Sequence, residues 1–68
     1  MKFEYEIQFG KDRYHEFETM QTWCKNNIGP GGYITRDHCV WSIETMFGNA
    51  FFRFKEEKHR NWFALRWQ

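Results

Sequence analysis

Sixty-eight residues make one domain, and a chain of this length hides only roughly 60% of the surface its unfolded form exposes. An aromatic content of 22% offsets the small size, because each Phe, Tyr or Trp can bury about 150–250 Å². Ten basic against nine acidic residues leave a formal charge of +1, which argues against recruitment through a phosphate backbone. No apolar run approaches the ~20 residues of a membrane span, and the start Met1-Lys2-Phe3-Glu4-Tyr5-Glu6 lacks the apolar core of a signal peptide. An intracellular protein with no membrane partner is expected.

Phe3, Tyr5, Ile7 and Phe9 alternate with Lys2, Glu4, Glu6 and Gln8, the period-two pattern of a strand with one buried face. Gly10 ends it. Asp12 can cap a helix whose apolar residues Tyr14, Phe17, Met20, Trp23, Cys24 and Ile28 recur at three- and four-residue spacing. That helix stops at Gly29-Pro30-Gly31-Gly32, a breaker cluster that reads as a turn. A strand is expected from Ile34 to Phe47, bent or bulged near Asp37, and another from Ala50 to Lys55. The tail from Glu56 to Gln68 reads as a short helix, with Glu56 and Glu57 in its first turn and Arg66 near its end. A fourth strand over Ala64 to Gln68 is the alternative.

The segment between Cys39 and Phe54 predicts a hairpin and its register. Gly48-Asn49 as a two-residue type II′ turn places Phe47 opposite Ala50, Thr45 opposite Phe52 and Ile43 opposite Phe54 on one face. Glu44 then meets Arg53 and Ser42 meets Lys55 on the other. The order β-α-β-β-α corresponds to a ferredoxin-like unit lacking its last strand. It implies an α+β fold with a three-stranded antiparallel sheet, spatial order first, third, second, and two helices on one face. Arg53 and Lys55 would lie on the open face between Glu44 and the pair Glu4 and Glu6.

Chemistry-bearing residues do not converge. Cys24 and Cys39 read as buried thiols, and adjacent His38 and Cys39 in a strand would point to opposite faces, so no metal site is expected. His15, His38 and His59 fall on three elements, and no histidine is placed to activate Ser42. The glycine cluster is followed by a strand, not by the helix that a phosphate cradle needs. No catalytic residue and no cofactor is expected.

Two resemblances stand beside this reading. Phe47-Gly48-Asn49-Ala50-Phe51-Phe52-Arg53-Phe54 is similar to the central strand of RNA-recognition modules, matching it at Gly48, Ala50, Phe51, Phe52 and Phe54. It departs from the pattern at Phe47, where a basic residue is usual, and at Asn49, where an exposed aromatic is usual, leaving Phe51 to stack on a base. The stretch from Phe52 to Trp67, together with Trp23-Cys24 before a Gly-rich turn, resembles small proteins of tailed phages, particularly those infecting cyanobacteria. There a Phe-x-Phe strand runs into a charged segment and then Phe-x-Leu-x-Trp. The departure is at His59-Arg60-Asn61, where a small Asp-Ala pair is usual. This resemblance implies a phage origin and, with it, the host cytoplasm.

What remains is surplus apolar surface. Met46 opposite Phe51, with Phe47 beside them, forms an apolar patch near the hairpin tip, and Trp62, Phe63, Leu65 and Trp67 crowd the last helix. Phe63 and Leu65 are expected to close the core. Met46, Phe47, Phe51, Arg53, Lys55, Trp62 and Trp67 are the candidate binding residues, since aromatic and Met clusters make protein-binding hot spots. The expected function is a non-enzymatic interaction protein that docks on a host or phage protein. Two-fold self-association would also cover a sheet edge. A degenerate single-strand nucleic-acid binder using Phe51, Arg53 and Lys55, or a minor virion component, are the alternatives.

Overall fold

The N-terminal alternation becomes β1, Tyr5–Phe9, with Ile7 and Phe9 buried and Glu6 and Gln8 exposed. The computed structural model describes residues 3–68; the expectation for Lys2 lies outside them. Phe3 departs from the expected core position. The last β1 pair in this direction is Tyr5 with Phe54, so residues ahead of Tyr5 have no ladder to hold their alternation. The Phe3 ring instead lies 5.1 Å from Lys55 Nζ, beside Thr35, Arg36 and Asp37.

After Gly10 the chain forms a 3₁₀ turn, Lys11–Glu16, that runs into α1, Phe17–Asn27. Asp12 is not the cap. The Arg13 N–H donates to the Gly10 carbonyl at 3.0 Å, so Asp12 sits inside the first turn, where its charge suits the helix dipole. The 3₁₀ segment turns three residues per revolution, which shifts the phase of everything before Phe17. Phe17, Met20 and Cys24 are buried as expected, whereas Tyr14 is rotated out to solvent.

The glycine cluster is more than a turn. Gly31–Gly32 forms β2, parallel to the start of β3, Trp41–Met46, with Gly31 beside Trp41. Only glycine permits this approach. A Cβ on Gly31 would meet the Trp41 carbonyl oxygen at 2.3 Å and its indole at 2.6 Å, and that indole N–H donates to the Gly29 carbonyl at 2.8 Å. The strand expected from Ile34 is therefore shorter. Residues 33–40 turn instead, with the Cys39 N–H bonded to the Arg36 carbonyl at 2.9 Å and the Arg36 N–H donating to Cys39 Sγ at 3.3 Å.

β3 and β4, Asn49–Phe54, form the expected hairpin in a register shifted by two residues. The turn residues are Phe47 and Gly48, at φ 54° and 84°, the signs of a type I′ turn. Ile43 pairs with Phe52 and Thr45 with Ala50, and Glu44 and Ser42 face Phe51 and Arg53. A shift of two preserves both faces. It also pairs Trp41 with Phe54, where the expected register would have carried Trp41 past the end of the strand.

The tail is α2, Glu57–Trp67, not a strand. Phe63 and Trp67, one helical turn apart, are buried, while Leu65 points the opposite way and is exposed rather than closing the core. Phe63 sits 4.8 Å from Phe52, 5.3 Å from Phe54 and 5.9 Å from Phe9 between ring centroids, joining α2 to both strands. Inward residues of β1, β3, β4, α1 and α2 share this one core, so both helices cover the same face. The fold is α+β, with a four-stranded mixed sheet in the order β1-β4-β3-β2. The expected antiparallel trio is present. The three-stranded expectation is corrected by β2, which glycine alone lets approach Trp41.

Candidate functional site

Local backbone chemistry gathers the exposed apolar residues at the hairpin tip. The turn holds Phe47 out, 90% exposed, and the 3₁₀ segment does the same to Tyr14, 69% exposed. Tyr33 follows Gly32, whose φ of 148° turns the chain, and is 57% exposed. With Met46, 48% exposed, these side chains line one cleft of about 480 Å³ between α1 and the end of β3. Phe17 lines it too, its ring 5.7 Å from that of Tyr14 in an edge contact. His15, Glu18, Gln21 and Thr45 supply its polar atoms. β2 pairs only with Trp41 and Ser42, so among the described residues no strand lies beside the rest of β3 on that edge.

Phe47 departs from its surroundings in two ways at once. A bulky side chain at positive φ is a genuine outlier, and an aromatic ring nine-tenths in water gains almost nothing from burial. Backbone strain of this kind persists where the surrounding structure imposes it, often at sites of recognition.

The open face of the sheet holds a second group. Arg53 Nε donates to Glu6 at 2.8 Å and Nη1 to Glu44 at 2.7 Å, and the guanidinium lies 5.6 Å from the Phe51 ring centroid. Hydrogen bonding to Glu44 and then Glu6 raises the Arg53 pKa above its ordinary value, so it stays cationic throughout. Glu44 reaches it diagonally, since Ser42 is the residue directly opposite. Lys55 Nζ donates to the Asp37 carbonyl at 3.2 Å. Met46 is not opposite Phe51 as expected; it pairs with Asn49, and Phe51 lies between Gln8 and Glu44.

The last two candidate residues lie on α2. Trp62 is half-exposed and packs edge-on against Trp23 at 5.3 Å. Trp67 is in the core, its carbonyl accepting from Arg13 Nη1 at 3.0 Å and its ring 4.1 Å from the Arg66 guanidinium carbon. The structure thus brings Met46 and Phe47 together, sets Phe51, Arg53 and Lys55 apart on the open face, and withdraws Trp67 from the surface. Sequence reasoning missed Tyr14, Glu18 and Tyr33. An aromatic immediately after a glycine pair was the available signal for Tyr33.

Burial pushes the Cys24 thiol up to about 12, leaving little thiolate near neutral pH. Among the described residues, no three His, Cys, Asp or Glu side chains gather as metal ligands would. No protein-family model matches the chain, and no curated protein and no solved structure is detectably similar to it. Function has to be argued from the surface itself.

Proposed function

We propose that this chain is a non-enzymatic interaction domain that docks on another protein through the cleft at the hairpin tip. The observation that carries this reading is Phe47, strained and exposed, converging with Tyr14, Tyr33 and Met46 on one concavity. Aromatic and Met side chains are the usual anchors of protein interfaces, and the unpaired edge of β3 beside them offers main-chain hydrogen bonds. The antiparallel β1-β4-β3 core is in keeping with a ferredoxin-like unit that lacks its last strand. The tailed-phage resemblance of residues 52–67 supports an infected cell as the setting. A host or phage protein in that cytoplasm is then the partner, inhibited or redirected by the contact.

The test is a tagged pull-down from bacterial lysate with and without nuclease, using wild type, Met46→Asp and Phe47→Asp. A stoichiometric protein that survives nuclease and is lost with both variants is the expected result. Capture unaffected by both substitutions refutes the surface. Sedimentation of the purified protein identifies the case in which that partner is a second copy.

A second reading rests on Phe51, whose ring lies beside Arg53, and on Phe3, whose ring lies beside Lys55 and lines an open-face hollow with Tyr33 and Arg53. Aromatics interleaved with cations suit single-stranded nucleic acid. Against it, Arg53 is already held by two carboxylates, and Lys55 by a carbonyl. Binding that falls steeply with added salt would favour this reading over docking. Presence in purified particles would instead indicate a minor virion component.

A further inference from the structure

The chemistry of the cleft narrows what enters it. Its walls include four aromatic rings, Tyr14, Phe17, Tyr33 and Phe47, and among the described residues its only carboxylate is Glu18. Among the described residues no Lys or Arg lines it; Lys11 packs its methylenes against Gly48 at the rim without lining the hollow. Three other surface hollows each contain their own cation, with Arg36 and Lys55 in one, Lys25 and Arg36 in another and Arg53 in the third. Glu18 is also uncommitted. Glu6, Glu16, Glu44, Glu56 and Glu57 each stand within ion-pair distance of a Lys or Arg, whereas Glu18, like Glu4 outside the cleft, pairs with none among the described residues.

We propose that this cleft accepts a lysine or arginine side chain of the partner protein, held between the Tyr14, Tyr33 and Phe47 rings with its charge toward Glu18. The proposal rests on the docking reading above and adds the identity of the anchor. Ring faces carry a negative quadrupole and attract a cation placed over them. A purely apolar occupant would exclude water from the Glu18 carboxylate without replacing it, and an acidic one would oppose it. The volume of about 480 Å³ leaves room for a long side chain and its flanking backbone.

The experiment is an amide-resolved NMR titration with three end-blocked pentapeptides, Ser-Val-X-Val-Ser, in which X is arginine, norleucine or glutamate. The arginine peptide is expected to shift the amides of Tyr33, Thr45, Phe47 and Gly48, with a Kd about tenfold below that of the norleucine peptide. The glutamate peptide should leave those amides unmoved. Glu18→Gln should remove most of the arginine preference, partly by easing entry of the norleucine peptide, while amides away from the cleft keep their positions, which also reports an intact fold. Equal or tighter binding of the norleucine peptide overturns the cationic anchor. So does the absence of any shift in the cleft. In either case the docking reading is judged separately, by whether Met46→Asp and Phe47→Asp still abolish capture in the pull-down.

Discussion

Replacing Phe47 with asparagine should stabilise the fold while removing its capacity to bind. The left-handed conformation at φ 54° costs a non-glycine residue roughly 1–2 kcal/mol, and asparagine tolerates it best. Asn-Gly is also the favoured pair for a type I′ turn, and Gly48 is already in place. The opposing loss is small. Phe47 is 90% exposed, so at most about 20 Å² of ring leaves contact, or about 0.5 kcal/mol at ~25 cal/mol per Å². The net gain is about 1 kcal/mol, which in a domain of this size raises Tm by roughly 4–8 °C. Thermal and urea melts followed by circular dichroism would measure it, with an unchanged urea slope showing that the exposed area on unfolding is the same. The same variant should lose capture in the pull-down. A Tm equal to or below wild type would refute the strain argument, and a stabilised variant that still captures the partner would refute the role of the ring.

Gly31→Ala should lower stability by about 3 kcal/mol, because its Cβ would sit 2.3 Å from a backbone oxygen that cannot move aside. Gly32→Ala, with open space but φ 148°, should lose only about 1 kcal/mol, and urea midpoints of the two variants would separate steric from conformational demand. Glu16 is held below the ordinary carboxylate range by its hydrogen bonds to Arg13, the closer at 2.7 Å. A carboxylate with a depressed folded pKa stabilises fully above its unfolded value near 4.5 and loses that contribution as pH falls through the folded value. Melting profiles of Glu16→Gln should therefore be flatter than wild type below about pH 4.5 and parallel to it above; parallel profiles throughout would show that the pair contributes nothing.

The three long antiparallel strands were legible because side-chain alternation marks them directly, and their order followed from the right-handed crossover of the first β-α-β segment, with which the meeting of Arg53 and its carboxylates agrees. The register was misread by two residues for a physical reason. Gly48-Asn49 is a good turn by local rules, but burying Trp41 beside Phe54 outweighs the strain at Phe47. β2 was invisible for a different reason, since two glycines carry no pattern and their approach to Trp41 is a tertiary event. The cleft was half legible. Met46 and Phe47 announce themselves as apolar residues at a tip, whereas Tyr14 was hidden by the 3₁₀ phase shift and Tyr33 by a turn that alternation mistook for a strand. Leu65 and Trp67 were misassigned because the C-terminal segment is apolar in too many positions for spacing alone to choose the inward stripe.

The placement of β4 between β1 and β3 has a consequence for how the chain is made. β3 and β4 meet across a two-residue turn and can zip locally, while β1 must reach β4 from the far end of the sequence. On a translating ribosome β1 emerges before β4, and its native pairing waits until the centre of the sheet is synthesised. During that interval Tyr5, Ile7 and Phe9 form an unpartnered apolar row, whose native mate among the described residues is the later stretch from Ala50 to Phe54. The rate at which β1 finds that strand, set against the rate at which another chain's strand finds it, governs how much of this protein a cell recovers folded.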